Sequence, residues 1–392
     1  MEGAGLLKQT ICKTIEGLKQ RLYDINQFMY DNPELGDEEF QAVEKLTRLL
    51  QDFDFTLETG VADRTTAFRA VYDSGKPGPT VAFLCEYDAL PGVGHGCGHN
   101  MIGTMGAAAG IGLKSVLDTV GGKVVVLGTP AEETNGGKVD MVKAGIFDDI
   151  DAAMMLHPSA NKSYESGTSQ AIDALQFEFT GKSSHAAGEP EKGINALDAV
   201  ILTFNGINAL REHLKSTVRI HGIIKEGGEA ANIVPDRAVA QFYVRAPKRE
   251  YLNEVVEKVK NVARGAELMT GAALNISNYE ASYDNLRTNQ TLSQAFTRNL
   301  KELGIQEIEK PKDGSGSLDM GDVSHVVPAI HPVIGLGAPG VNAHSKEFAD
   351  LTVTDIAKER LLQGAKALAL TGYDLLTDSN LLSEVKKEFT TT

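Results

Sequence analysis

Residues 80–100 read TVAFLCEYDALPGVGHGCGHN, and this stretch decides the predicted fold. Its first six residues are nearly all apolar, which is typical of a strand buried on both faces of an α/β sheet. A glycine-rich loop follows from Gly92 to Gly98, and the small residues after it predict a helix at about 99–116. The alternation continues in VVVLGTP (124–130), in a helix near 136–145 and in AAMMLHP (152–158). This pattern predicts an open, mostly parallel sheet with helices on both faces.

The chain before and after this region fits the same α/β fold. Apolar periodicity predicts helices at 6–30 and roughly 37–51, and an extended segment at about 65–72. Near the other end, an apolar strand is predicted at 331–336, and the chain ends in a helix after Thr352.

The pattern changes near residue 170, where a second domain is predicted to begin. LQFEFTG (175–181) alternates apolar and polar residues, as does a strand with one face in water. A helix at about 193–214, strands around 218–225 and 238–246, and a helix near 248–269 follow. A chain of 392 residues is also too long for one ordinary core. We therefore expect a catalytic domain made of residues 1–169 and 286–392, and an inserted α+β domain at 170–285.

Composition narrows the class of protein and of partner. The chain is 42% hydrophobic and 23% charged, which is typical of a soluble globular protein. It has no apolar run of about 18 residues, so no membrane partner is expected. The first residues lack the features of a signal peptide, and three cysteines form no disulfide framework, so we expect a cytoplasmic protein. A net charge of -15 argues against nucleic acid.

Residues able to bind a metal follow several predicted strands. Cys97 and His99 lie on the glycine-rich loop, the pair Glu132-Glu133 follows VVVLGTP, and His157 closes AAMMLHP. His344 lies far along the chain, but it too follows a predicted strand and a glycine loop. Sites in such sheets form at the carboxyl ends of strands. A mixed sulfur, nitrogen and oxygen set favours zinc, with manganese, cobalt or nickel as alternatives.

Each of these residues alone has a simpler interpretation. A strand-end histidine is more often structural, a Glu-Glu pair is usually a solvated loop, and Cys97 could be a small buried hydrophobic residue. Two other functions use the same residues: a thiol hydrolase with Cys97 as nucleophile and His99 or His157 as base, and a non-catalytic binding protein on this fold. Gly335–Gly340 spells GxGxxG but contains Pro339 and opens no helix, so a dinucleotide site is not predicted.

Seven short motifs carry a family resemblance. In chain order they are Asp88-Ala89-Leu90-Pro91, Cys97-Gly98-His99, Pro130-Ala131-Glu132-Glu133, His157-Pro158, Ser184-His185-Ala186-Ala187, Asn232-Ile233-Val234-Pro235 and Ala343-His344-Ser345. Together they resemble the aminoacylase and glutamate-carboxypeptidase family of co-catalytic metallopeptidases, in its amidohydrolase branch. The segment DMGDVSHVVPAIHP (319–332) looks most like the aminobenzoyl-glutamate hydrolase and aminoacylase-like-2 dipeptidase subgroup.

The resemblance implies a zinc-peptidase-like catalytic domain that binds two divalent metal ions per chain. The five implied ligands are Cys97, His99, Glu133, His157 and His344. Glu132 matches the family's catalytic general base, and Asp88 matches an aspartate that orients a ligand. The chain departs from the branch at Asn100, where aspartate is usual.

The resemblance also implies roles for the inserted domain. That domain mediates dimerisation in the family, so a homodimer is expected, with a tetramer as an alternative. His185 matches a catalytic histidine that reaches the partner's active site and stabilises the oxyanion. Asn232 and Arg245 match substrate-contacting residues. Read without the resemblance, these three could be a helix cap, a turn residue and a surface ion-pair partner.

These roles predict an amide hydrolase of small substrates. Glu132 would take the proton of a water activated by the two metal ions and return it to the departing amine. Arg245 would hold a carboxylate on the amine side of the substrate. N-acyl amino acids, aminobenzoyl-glutamate and dipeptides all satisfy this description.

Overall fold

The alternation of strands and helices predicted from residues 80–158 is present in the computed structural model, which describes residues 2–311, 314 and 316–391. The helices of these residues are α1 (Glu2–Gly17), α2 (Lys19–Asp31), α3 (Phe40–Gln51), α4 (His99–Val120), α5 (Gly137–Lys143), α6 (Ala196–Leu210), α7 (Arg249–Thr270), α8 (Gln290–Glu302), α9 (Met320–Val326), α10 (Lys346–Leu351), α11 (Asp355–Thr377) and α12 (Ser379–Thr391). The strands are β1 (Thr56–Thr59), β2 (Phe68–Asp73), β3 (Thr80–Cys85), β4 (Lys123–Gly128), β5 (Ala152–Met154), β6 (His157–Ser159), β7 (Ser163–Tyr164), β8 (Ala171–Thr180), β9 (Arg219–Glu226), β10 (Arg237–Ala246), β11 (Ala273–Asn278), β12 (Ile308–Glu309), β13 (Ala329–Ile330) and β14 (Val333–Gly335).

The chain divides into two compact units. The first contains the chain up to Thr168 and most of the chain after Leu286, and the second contains Ser169–Asn285. None of the described helices is both long and apolar enough to cross a membrane.

A six-stranded sheet forms the centre of the first unit, in the order β1-β2-β4-β3-β5-β13. The four strands from β4 to β13 are parallel to one another, whereas β1 and β2 are antiparallel to their neighbours. Every residue of β3 is buried, as expected for a strand in the middle of such a sheet. The predicted α/β class with a mostly parallel sheet is confirmed.

Small residues let helix α4 pack closely on β3. A Cβ atom at Gly106 would lie 2.6 Å from the Cys85 sulfur and 2.7 Å from the Leu84 carbonyl oxygen. Only glycine permits this approach of helix and strand. The helix begins at His99, directly after Gly98.

Two predicted elements are divided in the structure. The helix expected at 6–30 breaks between α1 and α2 at Leu18, although its apolar stripe continues across the break. AAMMLHP forms not one strand but two, because the chain leaves the large sheet after β5 and enters a small sheet as β6. The small sheet has the order β12-β7-β14-β6, and β6 pairs with β14 in parallel. His157 therefore begins a strand of the small sheet.

The second unit contains a four-stranded antiparallel sheet in the order β11-β8-β10-β9. Helices α6 and α7 cover one of its faces, against a core that includes Phe177, Phe179 and Phe242. In the second half of β8, buried residues alternate with more exposed ones, as predicted for LQFEFTG. The edge strand β9 is exposed at all of its residues except Ile220.

Candidate metal centre

Two loops and two strand ends bring the predicted ligands of the first unit together. Cys97 lies in the turn before α4, and Gly98 (φ +83°) turns the chain into the helix at His99. A Cβ atom at position 98 would lie 2.4 Å from Pro158 Cγ, so this glycine also allows the loop to approach β6. Cys97 and His157 are therefore neighbours, with 3.4 Å between Sγ and Nε2.

The buried His99 and the half-buried His157 each have one ring nitrogen held by an oxygen atom. His99 Nδ1 lies 2.8 Å from Asp88 Oδ1, and His157 Nδ1 lies 2.6 Å from the Pro158 carbonyl oxygen. When an oxygen accepts from Nδ1–H, the Nε2 lone pair of the same ring is left to bind a metal. Asp88 also accepts a hydrogen bond from the Glu133 backbone N–H at 3.0 Å through its other oxygen. Asp88 thus lies where an orienting residue is expected.

Glu133 stands between two histidines. Its Oε1 is 3.4 Å from His344 Nε2 and 3.9 Å from His99 Nε2. Glu133 Oε1 and His99 Nε2 are both buried and have no hydrogen-bond partner among the described residues. His344 is held in a left-handed backbone conformation (φ +60°), and its N–H donates to the Gly96 carbonyl at 2.8 Å.

The two separations of 3.4 Å, between Cys97 and His157 and between Glu133 and His344, fit a metal ion. Two ligand atoms at about 2.0–2.3 Å from a tetrahedral ion are about 3.3–3.7 Å apart. In each of three sets of residues, the possible ligand atoms lie within 4.8 Å of one another. The sets are Cys97, His99 and His157; Cys97, Glu133 and His344; and His99, Glu132 and Glu133. The unpartnered buried atoms of His99 and Glu133 add to this fit, because such atoms are costly unless something binds them. The donor set suits zinc and similar divalent ions.

The carboxyl group of Glu132 has a raised pKa. Burial raises the pKa of the Glu132 carboxyl well above its ordinary value, and the negative charges of Glu86 and Asp319 raise it further. A carboxyl whose pKa is raised in this way is suited to accept and return a proton near neutral pH.

The thiol of Cys97 has a raised pKa, whereas an activated thiol nucleophile has a lowered one. Burial raises its pKa to about 12, although the nearby His99 ring partly opposes this effect. The pKa of His157 is lowered to about 3, chiefly by burial, so this ring is uncharged near neutral pH and does not serve as a cationic partner for a thiolate.

The site contains charged residues that the sequence patterns did not indicate. Lys138 is fully buried and lies between Glu86 and Asp319. Glu39 is buried below the loop that carries Glu132. Asp319 occurs in a segment that carried the resemblance, but nothing in the local sequence distinguishes these residues from solvated surface charges. His331 also lies nearby, with its ring centre 5.5 Å from that of His157.

Asn100 has a structural environment. Its side chain is fully buried and donates a hydrogen bond to the Thr352 hydroxyl at 2.9 Å. An aspartate side chain would lack this N–H donor, so the amide of Asn100 makes a contact that aspartate could not make.

The second unit holds the other three predicted site residues. His185 Nδ1 accepts hydrogen bonds from the backbone of Ala187 and Gly188, at 3.2 and 3.0 Å. The Ala186 N–H donates to the Asn232 carbonyl, so the structure brings the His185 and Asn232 segments together. Arg245 is on β10, away from this pair, and its Nε is buried without a hydrogen-bond partner among the described residues.

Comparison with known proteins decides the family. The model of peptidase family M20/M25/M40 matches residues 72–371. The chain belongs to this family. The predicted family is thereby confirmed, and the chain is an enzyme that hydrolyses amide bonds.

Relatives of the chain match over nearly its whole length. It is 39% identical to an Xaa-Arg dipeptidase from Mus musculus over 400 residues, which cover 98% of this chain and 92% of the relative. It is 31% identical to a p-aminobenzoyl-glutamate hydrolase polypeptide of Escherichia coli over 449 residues, covering 95% and 93%. One relative is thus named as a dipeptidase and the other as an aminobenzoyl-glutamate hydrolase, the two activities of the subgroup that the segment DMGDVSHVVPAIHP indicated.

Solved structures share the fold. An aminobenzoyl-glutamate utilization protein from Klebsiella pneumoniae matches with a TM-score of 0.71 at 22% identity, over 90% of this chain and 97% of that one. A dinuclear metal-binding peptidase of the M20 family from Bacillus subtilis matches with a TM-score of 0.64 at 19% identity, over 91% and 99%.

Proposed function

We propose that the chain is a dipeptidase that uses two divalent metal ions to cleave a small amide whose amine side carries a carboxylate. The observation that carries this proposal is the convergence of sulfur, nitrogen and oxygen donors from four separate segments around Glu133 and Cys97. Family membership supplies the reaction class, because the chain belongs to a peptidase family.

The residues that would hold the metal ions are Cys97, His99, Glu133, His157 and His344, with zinc as the first candidate and manganese, cobalt or nickel as alternatives. When bound, such ions lower the pKa of water and polarise a carbonyl oxygen. Asp88 would keep His99 in the tautomer that presents Nε2 to a metal, since its oxygen lies 2.8 Å from Nδ1.

Glu132 is the proposed general base. Its raised pKa lets it take a proton from the attacking water and return it to the leaving amine. A carboxylate with an ordinary pKa would accept the proton less readily, so the raised pKa of Glu132 suits it to this proposed role.

Substrate recognition is assigned to the second unit. Arg245 would bind the substrate carboxylate, because a guanidinium can donate two parallel hydrogen bonds to it and its Nε has no protein partner among the described residues. Asn232 would assist, and His185 would stabilise the developing oxyanion, supplied across a homodimer. The exposed edge strand β9 supports the dimer, since an unpaired edge can pair with a second copy.

We propose dipeptides with a C-terminal arginine as the first substrate class to test, because the relative named for that activity matches 98% of the chain. Aminobenzoyl-glutamate is the second candidate, from the bacterial relative. Both place a free carboxylate on the amine side of the scissile bond, which is the feature that Arg245 would recognise.

The test combines metal analysis with hydrolysis assays on one purified sample. We expect close to two metals per chain, and we expect activity on the Xaa-Arg dipeptide that a chelator abolishes and zinc or manganese restores. Glu132→Gln should keep both metals and lose turnover by several orders of magnitude. A metal-free protein with full activity would refute the proposal and favour the thiol mechanism, in which alkylation of Cys97 should abolish activity.

A further inference from the structure

Lys138 is a buried cation next to the candidate metal centre. It lies in the first turn of α5, and its side chain has no exposed surface. The ammonium group is 2.6 Å from Glu86 Oε1 and 2.7 Å from Asp319 Oδ1. The Lys138 backbone N–H also donates to the second oxygen of Asp319 at 3.2 Å. Asp319 therefore fixes both the backbone and the side chain of Lys138.

Stability alone does not explain such a cluster. Taking charges out of water is expensive, and replacing a buried ion pair by apolar residues is often neutral or stabilising. Here three charged side chains are buried together, and their formal charges sum to a net negative charge. The contacts of these three side chains therefore indicate a role other than stability.

Glu86 links the cluster to the metal centre. One of its oxygens is held by Lys138, and the other, Oε2, lies 3.5 Å from His99 Nε2. That ring nitrogen is the one whose lone pair is left available, because Nδ1 is held by Asp88. The separation of 3.5 Å is within the about 3.3–3.7 Å expected of two atoms that face the same ion. Glu86 is buried, so its carboxylate has no solvent to turn towards.

We propose that Lys138 and Asp319 are positioning residues that hold the Glu86 carboxylate with its second oxygen at the metal-facing edge of His99. The inference rests on the proposed metal centre and adds Glu86 to the groups that face it. Lys138 fixes one oxygen of Glu86 and so aims the other. Asp319 fixes Lys138 in turn. Without Lys138, Glu86 would lose the contact that sets its orientation.

The test measures metal binding directly. Metal-free full-length protein is titrated with Zn²⁺ by calorimetry for the parent, Lys138→Met and Glu86→Gln. Glu86→Gln has nearly the same shape and leaves Lys138 paired with Asp319, so it keeps the fold even where Lys138→Met does not. Lys143→Met is the matched control, since Lys143 is on the same helix with a side chain that is 70% exposed.

We expect the parent and Lys143→Met to bind two equivalents, and Lys138→Met and Glu86→Gln to bind one of them at least tenfold more weakly. The double variant should be no weaker than the worse single variant, because both act through one oxygen atom. At saturating metal, kcat should fall in both variants while KM changes little.

Failure of this inference is distinct from failure of the proposed function. If the parent binds two equivalents and Glu86→Gln binds them with equal affinity, the positioning role is refuted and the metal centre stands. Tighter binding in Lys138→Met would also refute it, because Lys138 would then act on the metal only by repulsion. If the parent itself binds none, the proposed function fails.

Discussion

Glu39 offers a sharp test of how burial shapes the site. Its carboxylate has no exposed surface and accepts hydrogen bonds from the Ala131 N–H at 2.8 Å and the Thr66 hydroxyl at 2.7 Å. Ala131 has a left-handed backbone (φ +59°) and directly precedes Glu132. Burial raises the pKa of Glu39 from 4.5 to about 7, although the hydrogen bond from Thr66 opposes it.

The raised pKa has a defined effect on stability. Between pH 4.5 and 7 the folded protein binds the Glu39 proton more tightly than the unfolded chain does, so stability falls as the pH rises through this window. The full loss is about 3 kcal/mol, and about 2–3 kcal/mol of it falls between pH 5 and pH 8. Glu39→Gln mimics the protonated carboxyl and has no such dependence.

The assay is urea unfolding of the metal-free parent and the Glu39→Gln variant at pH 5 and pH 8. At pH 5 the two free energies of unfolding should agree within about 1 kcal/mol. At pH 8 the variant should be more stable than the parent by about 3 kcal/mol. Glu38→Gln is the control, because Glu38 directly precedes Glu39 in the chain and its side chain is exposed. Equal pH dependence in the parent and Glu39→Gln would refute the reasoning.

Three further substitutions test individual contacts of the first unit. Asp88→Asn should weaken metal binding by about 10–100-fold, measured by calorimetry, because the carboxylate that orients His99 is lost. Gly106→Ala should destabilise the protein by about 1–3 kcal/mol in urea unfolding, since its Cβ would lie 2.6 Å from the Cys85 sulfur. Asn100→Asp should cost about 1–3 kcal/mol in the same measurement, because the hydrogen bond donated to Thr352 is lost in a buried position.

A specific result would contradict each of these three predictions. Unchanged zinc affinity in Asp88→Asn would mean that the hydrogen bond does not orient the ligand. A Gly106→Ala variant as stable as the parent would show that α4 can move away from β3 without loss. An Asn100→Asp variant that gained stability would indicate that a negative charge, rather than a donor, is what this position needs.

The sequence alone determined the fold class and the family. Runs such as TVAFLC are apolar at nearly every position, and a strand buried on both faces accommodates that composition. The order of the motifs along the chain indicated the family that the comparisons confirm. The same motifs named the polar residues that the structure gathers in the first unit, because strand ends of a parallel sheet meet at one edge.

Tertiary structure decided which other charges surround those residues. Glu86, Lys138 and Asp319 are far apart in the chain, with 181 positions between Lys138 and Asp319, and show no periodicity that marks them as buried. Lys138 reads locally as an ordinary helical lysine, as Lys143 does, and only the packed chain shows that one is buried and the other exposed. Burial is a property of the whole fold, and pKa shifts follow from burial, so the environment of Glu132 could be known only after the chain was folded.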